Sequence, residues 1–86
     1  MEDPVEKIVA DALVSANVLY RRDQEVFYPT QNRNRSIDFY LPDFDLWIEV
    51  CQFYTPRKLE QLAVLQDAIL IQGKGAALTF AKLLKR

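Results

Sequence analysis

The sequence predicts an α/β protein, a three-layer sandwich in which helices flank a mixed four-stranded sheet. Its segments follow the order helix, strand, strand, strand, helix, strand, helix. Two apolar strands separated by a short turn predict an antiparallel hairpin, and a later strand–helix–strand segment predicts a parallel crossover. At 86 residues, the length suits one small domain, so residues 1–86 are assigned to a single unit.

The first third of the chain predicts a helix and a short strand. Residues Pro4–Ala16 place apolar side chains at helical spacing, with Asp3 as the N-cap and Pro4 at the first helical position. A strand is expected at about Glu25–Tyr28. The polar segment Thr30–Arg35 is typical of a loop, so the arginines around this strand are expected outside regular structure.

The central hairpin carries the most informative pattern. Strands Ser36–Leu41 and Leu46–Cys51 each contain one acid among apolar residues, Asp38 and Glu49. A turn at positions 43 and 44 pairs residues whose numbers add to 87, which sets these two acids opposite each other. Their Cβ atoms would then lie roughly 4.5–5.5 Å apart. Carboxylates that close repel each other unless a cation lies between them, and a one-residue slip of register would separate them.

The last third predicts the crossover. Thr55 and Pro56 resemble an N-cap and first helical residue, opening a helix at Arg57–Gln66. Asp67–Gln72 contains a continuous apolar run that is typical of a buried parallel strand. Residues 73–75 (Gly-Lys-Gly) interrupt the chain before a closing helix at Ala76–Leu84; this segment suits a tight turn, or alternatively a phosphate cradle at a helix N-terminus.

Composition excludes several kinds of active site. Histidine is absent, which rules out Ser-His and Cys-His nucleophile pairs and histidine metal sites. One cysteine cannot form a disulfide framework. Metal chemistry must therefore depend on carboxylates, which favours Mg²⁺ or Mn²⁺ over zinc.

The chain shows no membrane or export signal in its sequence. No apolar run approaches the length of a membrane span, and the acidic N-terminus lacks the apolar core of a signal peptide. We therefore expect a cytoplasmic protein of microbial, viral or phage origin.

A known superfamily shares this pattern. The element order, and the spacing of ten residues between Asp38 and Glu49-Val50-Cys51, resemble the PD-(D/E)XK nucleases of restriction-endonuclease-like fold. The run from Arg35 to Val50 is most similar to the very-short-patch-repair branch and related phage and homing nucleases. The resemblance implies a metal-dependent DNA endonuclease.

The resemblance also implies roles for individual residues. Asp38 and Glu49 would bind Mg²⁺ or Mn²⁺ with help from the backbone carbonyl of Val50, and Glu6 would supply an acid from the first helix. Arg33 and Arg35 precede the metal-binding strand, where they suit contacts to DNA phosphates.

The small size and the apolar final helix favour a homodimer.

One position departs from the superfamily pattern. The lysine expected two residues after the second acid is Cys51 here, and a thiol carries no positive charge. Lys58 on the next helix is a candidate substitute, and Gln61 or Gln52 could position the attacking water instead. Otherwise the chain is an inactive relative that binds nucleic acid or a protein, or a subunit of a larger nuclease.

Each candidate also has an ordinary structural interpretation. Asp38 and Glu49 could be solvent-facing acids of a hairpin, Glu6 a first-turn acid favoured by the helix dipole, and Lys58 a solvated lysine. The apolar neighbours of the two hairpin acids, Tyr40 and Trp47, favour a covered site instead.

Overall fold

A computed structural model describes residues 3–53 and 56–85 and contains a mixed four-stranded sheet with three helices. This confirms the predicted α/β class and element order. The elements in chain order are α1 (Pro4–Ser15), β1 (Arg21–Tyr28), β2 (Arg33–Leu41), β3 (Leu46–Cys51), α2 (Pro56–Leu62), β4 (Ala68–Gln72) and α3 (Gly73–Leu84). The strand order is β1-β2-β3-β4; β1, β2 and β3 pair antiparallel, whereas β3 and β4 are parallel.

The first helix begins as its sequence predicts. The Asp3 carboxylate accepts hydrogen bonds from the amides of Val5 and Glu6, at 2.7 and 3.3 Å, and Pro4 needs no amide partner at the first helical position. The helix ends at Ser15, one residue earlier than expected, because the amide of Val18 bonds back to the carbonyl of Leu13.

The first two strands are longer than predicted. β1 begins at Arg21 rather than near residue 25, and β2 begins at Arg33 rather than at Ser36. The arginines at positions 21, 22, 33 and 35 therefore lie in strands, and their assignment to loops was wrong. Charged residues are tolerated in β1 because it is an edge strand, and Arg33 and Arg35 lie where β2 pairs with β1 alone.

Several boundaries in the second half differ from the prediction; α2 begins at Pro56 rather than Arg57, and β4 at Ala68 rather than Asp67. α2 ends at Leu62 rather than at Gln66; Leu62 is buried, whereas Ala63 and Val64 behind it are exposed and give the helix no apolar anchor. The predicted N-cap Thr55 lies outside the described residues. α3 begins at Gly73 rather than at Ala76, because a positive φ of 84° at this glycine turns the chain directly from strand to helix.

One apolar cluster joins α1 and α3 to one face of the sheet. It contains Val5, Val9, Ala10 and Leu13 of α1, Phe39 and Leu41 of β2, Ile48 and Val50 of β3, Ile71 of β4 and Ala77 of α3. On β2 the buried residues alternate with Asp38 and Tyr40, so these two side chains belong to the opposite face. None of the helices in the described ranges is both long and apolar enough to cross a membrane.

Candidate functional site

The hairpin register sets the two predicted acids opposite each other. β2 and β3 pair Phe39 with Ile48 and Tyr40 with Trp47, the register in which residue numbers add to 87. Continuing it by one residue brings Asp38 opposite Glu49. The predicted register is confirmed for residues 39–41 and 46–48, and Asp38 and Glu49 are the next residues beyond this ladder.

Two hydrogen bonds connect the carboxylates of Asp38 and Glu49 to main-chain amides of β2 and β3. The amide of Asp38 donates to Oε1 of Glu49 at 3.1 Å, and the amide of Val50 donates to Oδ2 of Asp38 at 2.7 Å. Each carboxylate therefore accepts a main-chain hydrogen bond from the opposite strand. These bonds fix the position of both acids without help from any flexible side chain.

The remaining oxygen of Glu49 binds a lysine from α2. Lys58 Nζ lies 3.0 Å from Glu49 Oε2; the Glu49 side chain is 5% exposed and that of Lys58 34%. Burial alone would lower the pKa of Lys58. The hydrogen bond to Glu49 and the charges of Glu49 and Asp38 outweigh burial, so the pKa is raised. The amine is therefore held as a cation beside the acids.

Cys51 cannot supply that cation. The residue is buried, and burial raises the pKa of its thiol, while the charge of Lys58 acts in the opposite direction. Of the alternatives to the missing lysine, Lys58 is the one that contacts an acid. The backbone carbonyl of Gln61 accepts a hydrogen bond from the Tyr28 hydroxyl, and Gln52 is exposed.

Two further carboxylates lie beside Asp38. Glu6 of α1, Asp23 of β1 and Asp38 each bring one oxygen to within 4.8 Å of the others. Glu6 is held by Arg22, whose Nη2 lies 3.2 Å from Glu6 Oε1. All three donors are carboxylate oxygens, the ligand type that Mg²⁺ and Mn²⁺ prefer. Glu49 is not one of the three, since its two oxygens bond the Asp38 amide and Lys58.

Asp23 was not identified from the sequence. Pairing of Arg22 with Phe39 and Gln24 with Ile37 sets Asp23 opposite Asp38. Its backbone has a positive φ of 53°, which aspartate tolerates better than most residues. An acid in a polar edge strand is a weak signal, and the predicted strand began two residues after it.

The other predicted site residues occupy different positions. Val50 contributes its amide to Asp38, and the role expected of its carbonyl stays a prediction. Arg33 and Arg35 pair with Tyr28 and Val26 at the far end of the β1–β2 ladder. Arg33 is exposed, whereas Arg35 Nε donates to the side-chain oxygen of Gln31 at 2.7 Å.

The surroundings disfavour a charge on Asp38. Burial, the contact with Glu49, and the charges of Glu49 and Glu6 raise its pKa from 3.8 to about 8, although the Val50 amide opposes this shift. Asp38 therefore keeps its proton to a higher pH than an ordinary aspartate, and a cation that binds at the site would displace this proton. A strongly raised pKa at a fixed carboxylate is a feature of functional sites.

Asp38→Asn should flatten the pH dependence of stability. Between pH 3.8 and about 8 the unfolded chain loses a proton that the folded chain keeps, so stability falls as pH rises through this window. Asparagine mimics the protonated acid, so the variant should gain stability relative to the wild type more at pH 8 than at pH 5. Urea unfolding in EDTA measures this difference.

Asp43→Asn is the matched control, since Asp43 is exposed in the turn of the same hairpin. Equal effects of the Asp38 substitution at pH 5 and pH 8 would contradict the raised pKa.

No model of a known protein family, no curated protein and no solved structure matches this chain.

Proposed function

We propose that the chain is a metal-dependent DNA endonuclease, built as a three-layer sandwich with a restriction-endonuclease-like core. The observation that carries this proposal is the bonding of Glu49. One of its oxygens accepts the Asp38 amide and the other contacts Lys58, while the side chain is almost fully buried. Two acids on neighbouring strands that could hold a metal ion, and a cation that could stabilise developing negative charge, are groups suited to phosphodiester hydrolysis.

The burial of Glu49 argues against an ordinary hairpin. Burying a carboxylate is costly unless it is paired and hydrogen-bonded, and this one is both. A solvent-facing Glu49 would be hydrated by water and would not need the ion pair with Lys58 of α2.

Each residue has a task in the proposed reaction. Bound Mg²⁺ or Mn²⁺ would polarise the scissile phosphate and lower the pKa of an attacking water. Asp38 and Glu49 would hold the ion together with the Val50 carbonyl, and the crossed amide bonds keep both carboxylates in place. Lys58, anchored by Glu49, would orient the water and offset negative charge that develops on the phosphate.

Residues around the acids complete the proposed site. Glu6 contributes a further carboxylate from α1, and its ion pair with Arg22 sets its position. Arg33 and Arg35 would contact phosphates along the DNA backbone, away from the reacting group.

A cleavage assay with defined substrates tests the proposal. Purified protein is incubated with supercoiled plasmid, single-stranded DNA and a branched junction, in Mg²⁺, in Mn²⁺ and in EDTA. Cleavage that requires the divalent ion and is lost in Glu49→Gln supports a nuclease. If every DNA stays intact in both metals, the chain by itself is not a nuclease. That result would favour the alternative function, a non-catalytic binding module or a subunit that cuts DNA only with a partner.

We further propose a homodimer. Leu78 and Leu83 of α3 and Val14 of α1 are 44%, 63% and 64% exposed, which leaves apolar side chains outside the core. Light scattering should therefore give a mass near twice 10.0 kDa at high protein concentration. Leu83→Lys should shift the mass towards the monomer, whereas Lys82→Ala on the same helix should not. A monomeric mass for the unaltered protein would contradict this expectation.

A further inference from the structure

Tyr40 and Trp47 form an aromatic pair on the face of the hairpin that carries the acids. They are cross-strand partners, and their ring centroids lie 4.4 Å apart at an interplanar angle of 41°. Both side chains are only half-buried. Because Phe39 and Leu41 alternate with them on the core side, the aromatic pair lies outside the main apolar cluster.

The aromatic pair is adjacent to the proposed site. Tyr40 follows Asp38 by two residues, and Trp47 precedes Glu49 by two residues, so each ring shares a sheet face with an acid. Two residues of a strand span about 7 Å. A nucleotide whose phosphate reached the acids could therefore bring its base to the rings.

The neighbours of the aromatic pair suit a nucleotide. Arg21 is the cross-strand partner of Tyr40 and provides an exposed positive charge, and Ala68 beside Trp47 is small. The Tyr40 hydroxyl donates to Asp45 Oδ1 at 2.8 Å, which fixes the ring.

We propose that the aromatic pair stacks on an unpaired base next to the scissile phosphodiester, so that the substrate is single-stranded or branched DNA. This inference rests on the proposed nuclease function. Bases in a continuous duplex are already stacked on both faces, whereas an unpaired base is free to stack on aromatic rings. Arg21 would contact the neighbouring phosphate.

A purely structural role for the aromatic pair makes a different prediction. Cross-strand aromatic contacts stabilise hairpins, and such a role affects stability without any preference among DNA substrates. A binding measurement that compares unpaired with paired DNA separates the two.

Trp47 is the only tryptophan in the chain, so its fluorescence reports directly on the aromatic pair. The protein is titrated with short oligothymidylate, a forked DNA and a blunt duplex, with Ca²⁺ replacing Mg²⁺ as the oxygen-liganded ion. We expect saturable quenching by the single strand and the fork, and little by the duplex. Equal quenching by the duplex, or none by the single strand, overturns the inference.

Substitutions provide the second measurement, by anisotropy of labelled oligothymidylate. Tyr40→Leu and Trp47→Leu should each weaken binding roughly 5- to 150-fold, the range found for base–aromatic stacking, while Trp47→Phe should retain most of the affinity. Phe44→Leu is the control, because this exposed turn residue lies beside Leu41 and Phe80 on the core side. Folded leucine variants with wild-type affinity overturn the inference.

The outcomes also separate this inference from the nuclease proposal. Metal-dependent cutting of duplex with no fluorescence change would overturn the stacking role and leave the nuclease intact. Quenching by single strands without cleavage in any metal would support stacking and count against the nuclease. If a leucine variant fails to fold, the titrations of the unaltered protein still decide.

Discussion

Replacing Lys58 by alanine is expected to reduce Mg²⁺-dependent DNA cleavage by about 100-fold or more, the effect of removing one group that stabilises transition-state charge. Lys58 of α2 contacts Glu49 at 3.0 Å, and β3 itself carries no lysine or arginine. Initial rates of plasmid nicking measure the loss. Lys82→Ala, an exposed lysine in the last turn of α3, is the matched control and should leave the rate unchanged.

A second substitution tests whether Lys58 fills the place of the missing lysine. Cys51 follows Glu49 by two residues on β3 and shares its face of the sheet, so a lysine at position 51 should reach the same acids. Cys51→Lys should therefore restore activity to Lys58→Ala and add little to the unaltered protein. A large gain from Cys51→Lys alone, with no loss in Lys58→Ala, would show that the unaltered site is dormant.

The central hairpin could be predicted from sequence because several local signals agree. Alternation of apolar and polar residues fixes which face each side chain occupies, and a short turn fixes the register. Together they placed Asp38 opposite Glu49 and gave β3 its observed bounds. The contact between Lys58 and Glu49 was one of several options, because the sequence does not give the angle at which α2 approaches the sheet.

The edge strand could not be predicted with equal success. Arg21 to Gln24 are polar, and polar residues resemble a loop until a partner strand supplies hydrogen bonds. β1 is held by its long ladder with β2, a tertiary contact with no local signature. Because the first half of β1 was not predicted, neither Asp23 nor the ion pair of Arg22 with Glu6 was identified as part of the site.

Asp38→Ala and Glu49→Ala are each expected to abolish binding of Mn²⁺. The two carboxylates are fixed by amides of opposite strands, so neither can move to replace the other. Isothermal titration calorimetry of the metal-free proteins measures the loss of binding heat. Glu60→Ala, an exposed acid of α2, is the control and should bind as the unaltered protein does.

The same two variants should differ in stability although both lose the metal. Asp38→Ala removes the acceptor of the Val50 amide but also an acid whose raised pKa shows that its charge is disfavoured, so the stability of the metal-free variant relative to the unaltered protein should improve from pH 5 to pH 8. Glu49→Ala removes the partner of Lys58 and the acceptor of the Asp38 amide, so the protein should become less stable. Unchanged manganese affinity in both variants would contradict the metal site, whatever their stabilities, because the proposal makes these two carboxylates the principal ligands of the ion.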